Sequence, residues 1–476
     1  MNADRLVLTC LSEEALDRIE ATAYRLLDEI GISLEHERAR EMLHGLGCRI
    51  EGSRTHIPPG VVGRALDNVT PGRDLLRADG SLAFSLGDGQ VRFHNGGGQP
   101  DTLDLLTGQR RRATLQDVAD ITRLLDALPN VDQITPLFSP QDVPPELLFV
   151  TATAAMLRNT RKPVSAAALD KPDDVPYVVE MAAACCGGME SFRRNPNMTL
   201  SVSPVSPLKF PRDVAGAILA VAESGAPFHS LPAPSLGATG PVTMAGALAQ
   251  QHAEVLASFV LAAAARPGVP VVYCSRISPI DLRTAISVWG GPEVGTSGAC
   301  AAQLAHRLGL PCDSYGFSTT SPSVDAQFAY ERLANGLVPA LAGVDILSGV
   351  GMGGGLVGGF EIAVIDDEVI SLIKQIVSGY AVDETTLAFD VMADVIPGDG
   401  VYLGERHTVR NMRRGALWIP GISVRAATEP GDDVVSRARA RAKELLASHK
   451  IEPLPEDVER HLQEIVDRAR RELVAA

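Results

Sequence analysis

Residues 226–256 read A-P-F-H-S-L-P-A-P-S-L-G-A-T-G-P-V-T-M-A-G-A-L-A-Q-Q-H-A-E-V-L. This is a strand, a turn and a helix in succession. Phe228-His229-Ser230-Leu231 makes a short strand, closed off by Pro232 and Pro234. A small-residue turn follows, in which Gly237 and Gly240 let backbone approach closely. Thr243 stands where a helix N-cap belongs, and the next twenty-two residues hold no proline and only Gly246. A glycine-rich turn ahead of a helix N-terminus suits a carboxylate or a phosphate.

The same unit recurs on both sides. Apolar segments at 131–138, 163–168, 198–205, 227–231, 269–277, 311–317 and 344–350 are each followed by Pro, Ser or Gly and then by a helical pattern. The intervals are roughly 30 to 45 residues, the spacing of parallel strands joined by crossover helices. Seven units, with an eighth strand expected at 360–365, predict an α/β protein built as a (β/α)8 TIM barrel over residues 114–421. Ahead of it, residues 1–113 read as an N-terminal helical and β-rich appendage. Two helices lie within 11–46, followed by short segments broken by Asp79-Gly80, Gly87-Asp88-Gly89 and Gly96-Gly97-Gly98. Behind it, residues 422–476 read as a C-terminal helical hairpin on the barrel exterior or at a subunit interface.

Composition narrows the function. The chain has 476 residues and a net charge of −15, which argues against nucleic acid or an anionic membrane as partner. The first twenty residues lack a basic start with an apolar core, so a secretory leader is not expected. Seven scattered cysteines without zinc-like spacing suit a reducing cytoplasm and predict no metal centre. The motifs of P-loop ATPases, zincins and G-x-S-x-G hydrolases are absent. The six lysines avoid the strand ends apart from Lys209, which disfavours a Schiff-base enzyme.

A barrel keeps its chemistry at the C-terminal ends of its strands. Those ends supply Ser203, Ser230, Ser275, Tyr315, Phe317 and the glycine-rich run 349–359, a small, hydroxyl-lined mouth with few aromatics. Gly349 to Gly354 spells G-x-G-x-x-G, yet a poor helix start follows it. A phosphorylated ligand or flavin there remains the alternative reading. His94 and His407 sit beside turns and suit a pocket, whereas His229 and His252 suit the core. Gln327 opens a helix just beyond the 311–317 strand, between Asp325 and Glu331.

Several words in order extend across the chain. Besides G-A-T-G-P-V-T-M-A-G-A-L-A-Q-Q-H-A-E, they include the stretches at 104–117, 128–132, 159–163 and 322–331, then Asp366-Asp367-Glu368 and 402–408. In these the chain resembles the trimethylamine methyltransferase family, and within it the members that lack pyrrolysine, which are similar to glycine betaine methyltransferases. The resemblance implies transfer of a methyl group from a quaternary amine, glycine betaine or a related betaine, to the Co(I) centre of a separate corrinoid protein. It implies no cofactor bound tightly to this chain and no catalytic protein nucleophile. A homo-oligomer is expected. A betaine-binding relative without catalysis is the non-enzymatic alternative.

On that reading the substrate contacts are expected from His94, Phe138, Ser203, Ser230, Gly237, Gly240, Ser275, Tyr315, Phe317, Gln327, Gly354, Phe360 and His407. The turn from Gly237 to Thr243 would grip the carboxylate with backbone N–H groups. Tyr315 and Phe317 would face the ammonium.

Overall fold

The computed structural model describes residues 6–166, 168–425 and 432–474. Its centre is a parallel sheet, six of whose seven main strands lie in the expected segments and order. The seven are β1 (Arg92–Asn95), β2 (Val164–Ala166), β3 (Met198–Val202), β4 (Phe228–Ser230), β5 (Val269–Ser275), β6 (Cys312–Tyr315) and β7 (Ile346–Val350). Neighbours run β2-β3-β4-β5-β6-β7-β1, all parallel. The outer two, β1 and β2, are both bridged by one extended segment, through His94 to Gln133 and Ile134 to Val164.

That segment falls within the strand expected at 131–138, and it is not a regular strand. Side chains replace much of its ladder. Asn95 Nδ2 donates to the Thr135 carbonyl at 2.6 Å, and Thr135 N–H donates back to Asn95 Oδ1 at 2.9 Å. Gln133 Nε2 donates to the Val164 carbonyl and to Thr199 Oγ1.

Two expectations need correction. The eighth strand placed at 360–365 is the first two turns of a helix, Phe360–Val377. A six-residue apolar run carries no period of its own, and the helical period becomes visible only through Ile370, Ile373 and Val377, all buried on the same helix. The strand that completes the sheet is instead Arg92–Asn95, from the region read as an appendage. Val69–Pro71 also joins the sheet, pairing in parallel with the start of β5. A hairpin, Asp74–Leu76 with Leu82–Ser85, carries Leu75, Phe84 and Leu86 onto Val272, Cys274 and Ile346. It plugs the N-terminal end of the sheet, so any opening lies at the opposite end.

The helix quoted at the outset, Met244–Ala265, is buried almost all round, as its even apolarity requires. It lies between the sheet and two N-terminal helices, Glu13–Arg25 and Pro59–Asp67. Two of its polar residues are held by partners: Glu254 accepts from Leu208 N–H at 2.9 Å and Ser206 Oγ at 2.8 Å, and His252 Nδ1 meets the Tyr273 hydroxyl at 3.1 Å. Thr243 does not cap it through its side chain. The C-terminal helices, Val434–Ser448 and Glu456–Leu473, pack outside, on Phe360–Val377 and on Asp174–Cys185 respectively. No helix among the described residues is long and apolar enough to cross a membrane.

Candidate functional site

A cavity of about 670 Å³ opens at the C-terminal ends of the strands. Its wall is apolar over most of its extent: Phe138, Leu148, Phe149, Leu231, Trp289, Tyr315, Met352 and Leu356, with glycines 96–98 and 353–355. The hydroxyls of Ser139, Ser287, Ser318, Thr319 and Ser348 complete it, together with His94 and Arg276. Among the described lining residues there is no cysteine, lysine, aspartate or glutamate.

The aromatic side is built from the end of β6 and the loop between β5 and β6. Trp289 and Tyr315 lie 5.0 Å apart, ring to ring, tilted by 42°. The Tyr315 hydroxyl donates to Met352 Sδ at 2.7 Å, and burial pushes its pKa up to about 12. Met352 is held in turn by a fully buried pair on two helices. Arg332 Nη1 donates to the Met352 carbonyl at 2.6 Å, Arg332 Nε to Asp366 Oδ1 at 2.6 Å, and Gly351 N–H to Asp366 Oδ2 at 2.7 Å. The glycine-rich run is thus one wall of the cavity, braced from behind. Gly349 needs its glycine: φ is +113°, and a Cβ would meet the Phe317 carbonyl oxygen at 2.4 Å.

Beneath the cavity lies a buried ionic cluster centred on Asp313 in β6. Arg276 Nη2 donates to Asp313 Oδ1 at 2.7 Å. His229 Nδ1 lies 3.2 Å from Oδ2, and His94 Nε2 3.6 Å from Oδ1. Burial alone would raise the carboxyl, but the Arg276 charge and the two imidazoles outweigh it and hold Asp313 well below the usual carboxylate range. Burial lowers the His229 pKa despite its carboxylate partner, so its ring is neutral, with Nδ1–H donating to Asp313. The Arg276 guanidinium also lies 5.4 Å from the Tyr315 ring centre. His229, Cys274 and Asp313 have metal-ligand proximity, with their donor atoms within 4.8 Å of one another. Their charge is already met by Arg276, and burial with the Asp313 charge beside it keeps the Cys274 thiol protonated. The donor set therefore fits a hydrogen-bonded ion pair better than a cation site.

Of the residues expected to contact substrate, His94, Phe138, Tyr315 and Gly354 line the cavity. The others are placed elsewhere. Phe317 is fully buried, edge-on to Phe93 at 5.9 Å. Phe360 backs Phe138 at 6.2 Å from the start of its helix. Ser275 Oγ donates to Gln251 Oε1, and Gln327 Nε2 to Glu331 Oε1. Ser230 is buried in β4 and Ser203 half-buried just after β3, neither on the wall. His407 sits on the helix Arg406–Arg413, away from it.

The turn at Gly237 and Gly240 is also off the wall, and its donors are spent internally. The N–H groups of Ala238, Thr239 and Gly240 donate to the Ser235 carbonyl, and that of Gly237 to the Gly240 carbonyl. The turn folds on itself instead of presenting N–H groups to a ligand. The phosphate alternative at 349–359 fares similarly: Gly351 N–H is taken by Asp366, and the buried carboxylate of Glu361 occupies the first turn of the helix that follows.

The comparisons with known proteins agree with this architecture. The family described as trimethylamine methyltransferase (MTTB) matches residues 3–474. The chain belongs to that family. It is 30% identical over 472 residues to a glycine betaine methyltransferase of Desulfitobacterium hafniense strain Y51, covering 97% of each chain. It is also 30% identical over 466 residues to the trimethylamine methyltransferase MttB of D. hafniense strain DCB-2, covering 97% of this chain and 94% of that one. The monomethylamine methyltransferase MtmB of Methanosarcina barkeri shares the fold at a TM-score of 0.50 and 14% identity, over 99% of this chain and 96% of that one. The chain is a methyltransferase of the MttB family.

Proposed function

We propose that the cavity binds a quaternary amine carrying a carboxylate, glycine betaine or a related betaine, and presents one of its N-methyl groups at the open end of a (β/α)8 barrel. The observation that carries this reading is the wall itself: aromatic and apolar, with no cysteine, lysine, aspartate or glutamate among its described residues. A quaternary ammonium leaves as a neutral amine once its methyl is taken, so no group on the protein has to protonate it. The methyl acceptor, the reduced cobalt of a corrinoid on a partner protein, supplies the nucleophile. This chain's residues hold the substrate, aim the N–CH3 bond and keep water out.

Trp289 and Phe149 offer faces for the ammonium, worth about 0.5–2 kcal/mol each. Arg276 already lies over the ring of Tyr315, which leaves Tyr315 a packing role beside Trp289. The carboxylate goes to the corner beside Tyr315, where Arg276 lines the cavity. Both His94 ring nitrogens are buried, with Nε2 turned to Asp313 at 3.6 Å, so His94 meets the cavity through its ring carbons. At the lip, Ile286 and Leu356 are 62% and 64% exposed, an apolar rim suited to a docked corrinoid protein.

The test supplies the purified chain with reduced corrinoid protein and a panel of trimethylamine, choline, glycine betaine and longer betaines. Methyl-cobalt formation, followed by absorbance, should be fastest with a betaine and much slower with choline. Equal rates for choline and glycine betaine would remove the carboxylate corner. Absence of methyl-cobalt with every quaternary amine would remove the reading altogether.

A further inference from the structure

Residues 380–417 leave the body of the protein and return to it. Both ends of this excursion root on one helix, Phe360–Val377. It departs from that helix's C-terminus, and on return Trp418 Nε1–H donates to Ser371 Oγ while Glu368 accepts the N–H groups of Gly421, Ile422 and Ser423. Between these anchors lie three short helices, Glu384–Leu387, Phe389–Val395 and Arg406–Arg413, which bury only Val395. None of them packs extensively on another element.

The arm is nevertheless apolar. Of the 26 large hydrophobic side chains exposed among the described residues, 12 fall within 380–419, so the exposure is concentrated there. Tyr380, Val382, Phe389, Ile396, Leu403 and Ile419 are each more than 60% exposed. Helices of four to eight residues are not stable in water without a surface to pack on. Contiguous apolar exposure on this scale marks a protein contact.

The charges on the arm indicate which protein. Residues 383–405 carry six carboxylates and no Lys or Arg, whereas 406–414 carry four arginines and no acid. One half is anionic and the other cationic, so two copies laid antiparallel match acid to base at both ends. Self-complementarity of this kind defines a two-fold interface.

We propose that this arm is the dimer contact of the protein, exchanged with the same arm of a second copy. The apolar side chains form the buried centre, and the acidic and basic halves set the antiparallel register. The proposal does not depend on the substrate, and a corrinoid protein as sole occupant of the arm is an outcome its test would reveal.

Sedimentation equilibrium measures it directly. The wild-type chain of 50.3 kDa should form an even-numbered assembly. Two charge-reversed variants, Arg410→Glu with Arg413→Glu and Asp390→Lys with Asp394→Lys, should each fall to half that mass or less. Far-UV circular dichroism should remain unchanged, because all four side chains are exposed. Mixed one to one, the two variants restore both charge matches and should regain the wild-type mass. A wild-type chain that sediments as a monomer at tens of micromolar would overturn the proposal. So would variants that stay fully assembled alone, or a mixture that fails to reassemble.

Discussion

Asp313→Asn keeps the size of the side chain and removes the charge that balances Arg276. Both residues are buried, Asp313 at 3% exposure and Arg276 at 7%, so the guanidinium left behind is a cation with little water to solvate it. Breaking a buried pair from one side costs about 3–5 kcal/mol. With an unfolding entropy of about 2.1 cal/mol/K per residue, a chain of this length changes stability by about 1 kcal/mol per degree near its midpoint, so the melting temperature should fall by about 3–5 °C. Calorimetry and urea unfolding read this directly. Because the folded Asp313 pKa lies below its unfolded value, the stabilisation is complete above the unfolded value near 4 and is lost as pH falls through the folded one. The gap between wild type and variant should therefore be flat across neutral pH and close only in strong acid. Arg276→Met on top of Asp313→Asn should recover most of the loss, since the uncharged pair leaves no unpaired ion buried. An Asp313→Asn variant within about 1 kcal/mol of wild type at pH 7 would refute the charge-pair account, as would a double variant weaker than the single.

Trp289→Ala should weaken betaine binding by about 0.5–2 kcal/mol in calorimetric titration with the melting temperature little changed. Phe317→Ala, in the core, should cost about 3–5 kcal/mol of stability. Gly354→Ala drives a Cβ to 2.1 Å from the Ser321 carbonyl oxygen, so the cavity wall must move and binding should be lost. Gly240→Ala, off the wall, should leave affinity intact. Glu254 has its pKa raised to about 6 by burial, so its ionisation costs stability as pH rises from its unfolded value to that point. Glu254→Gln should consequently be more favourable by about 2 kcal/mol at pH 7 than at pH 4, measured by urea unfolding. Methyl transfer should survive exhaustive chelation of the enzyme itself; stoichiometric zinc whose removal abolishes activity would reassign the His229, Cys274 and Asp313 cluster.

The strand-turn-helix rhythm was readable because each crossover unit repeats a local pattern, and six of the strands lie within the segments expected for them. The seventh, Arg92–Asn95, was not. Three of its four residues, R-F-H-N, are polar, and Asn95 is buried because its side chain does ladder duty toward Thr135, a pairing forty residues away. The site was legible where a residue projects from an expected strand end, as with Tyr315, or sits beside a glycine turn, as with His94. It was obscured where a loop folds back over the mouth. Trp289, one of only two tryptophans, arrives on such a loop after the strands Ser278–Asp281 and Ile286–Ser287. Asp313 did carry a signal: an acid inside an apolar strand is rarely buried without a partner. Its partner, Arg276, follows the neighbouring strand and could be matched to it only once the β5–β6 register, Cys274 beside Asp313, was known.

That register bears on how the proposed betaine site could take a cation while displaying an arginine. An unpaired guanidinium on the wall would repel a quaternary ammonium, and in a site poor in water the repulsion would be strong. Asp313 cancels it from beneath without reaching the cavity, because its carboxylate is turned inward to Arg276 and His229. The wall is then close to neutral overall but still polar at one corner, where Arg276 lines the cavity and remains for an anion. A zwitterion fits such a surface at both ends. Trimethylamine has nothing to offer the polar corner and choline only a neutral hydroxyl, so neither supplies the charge that corner is built to meet, a loss that discriminates more sharply than differences in apolar fit. Specificity for a betaine would therefore rest on a carboxylate that the substrate never touches.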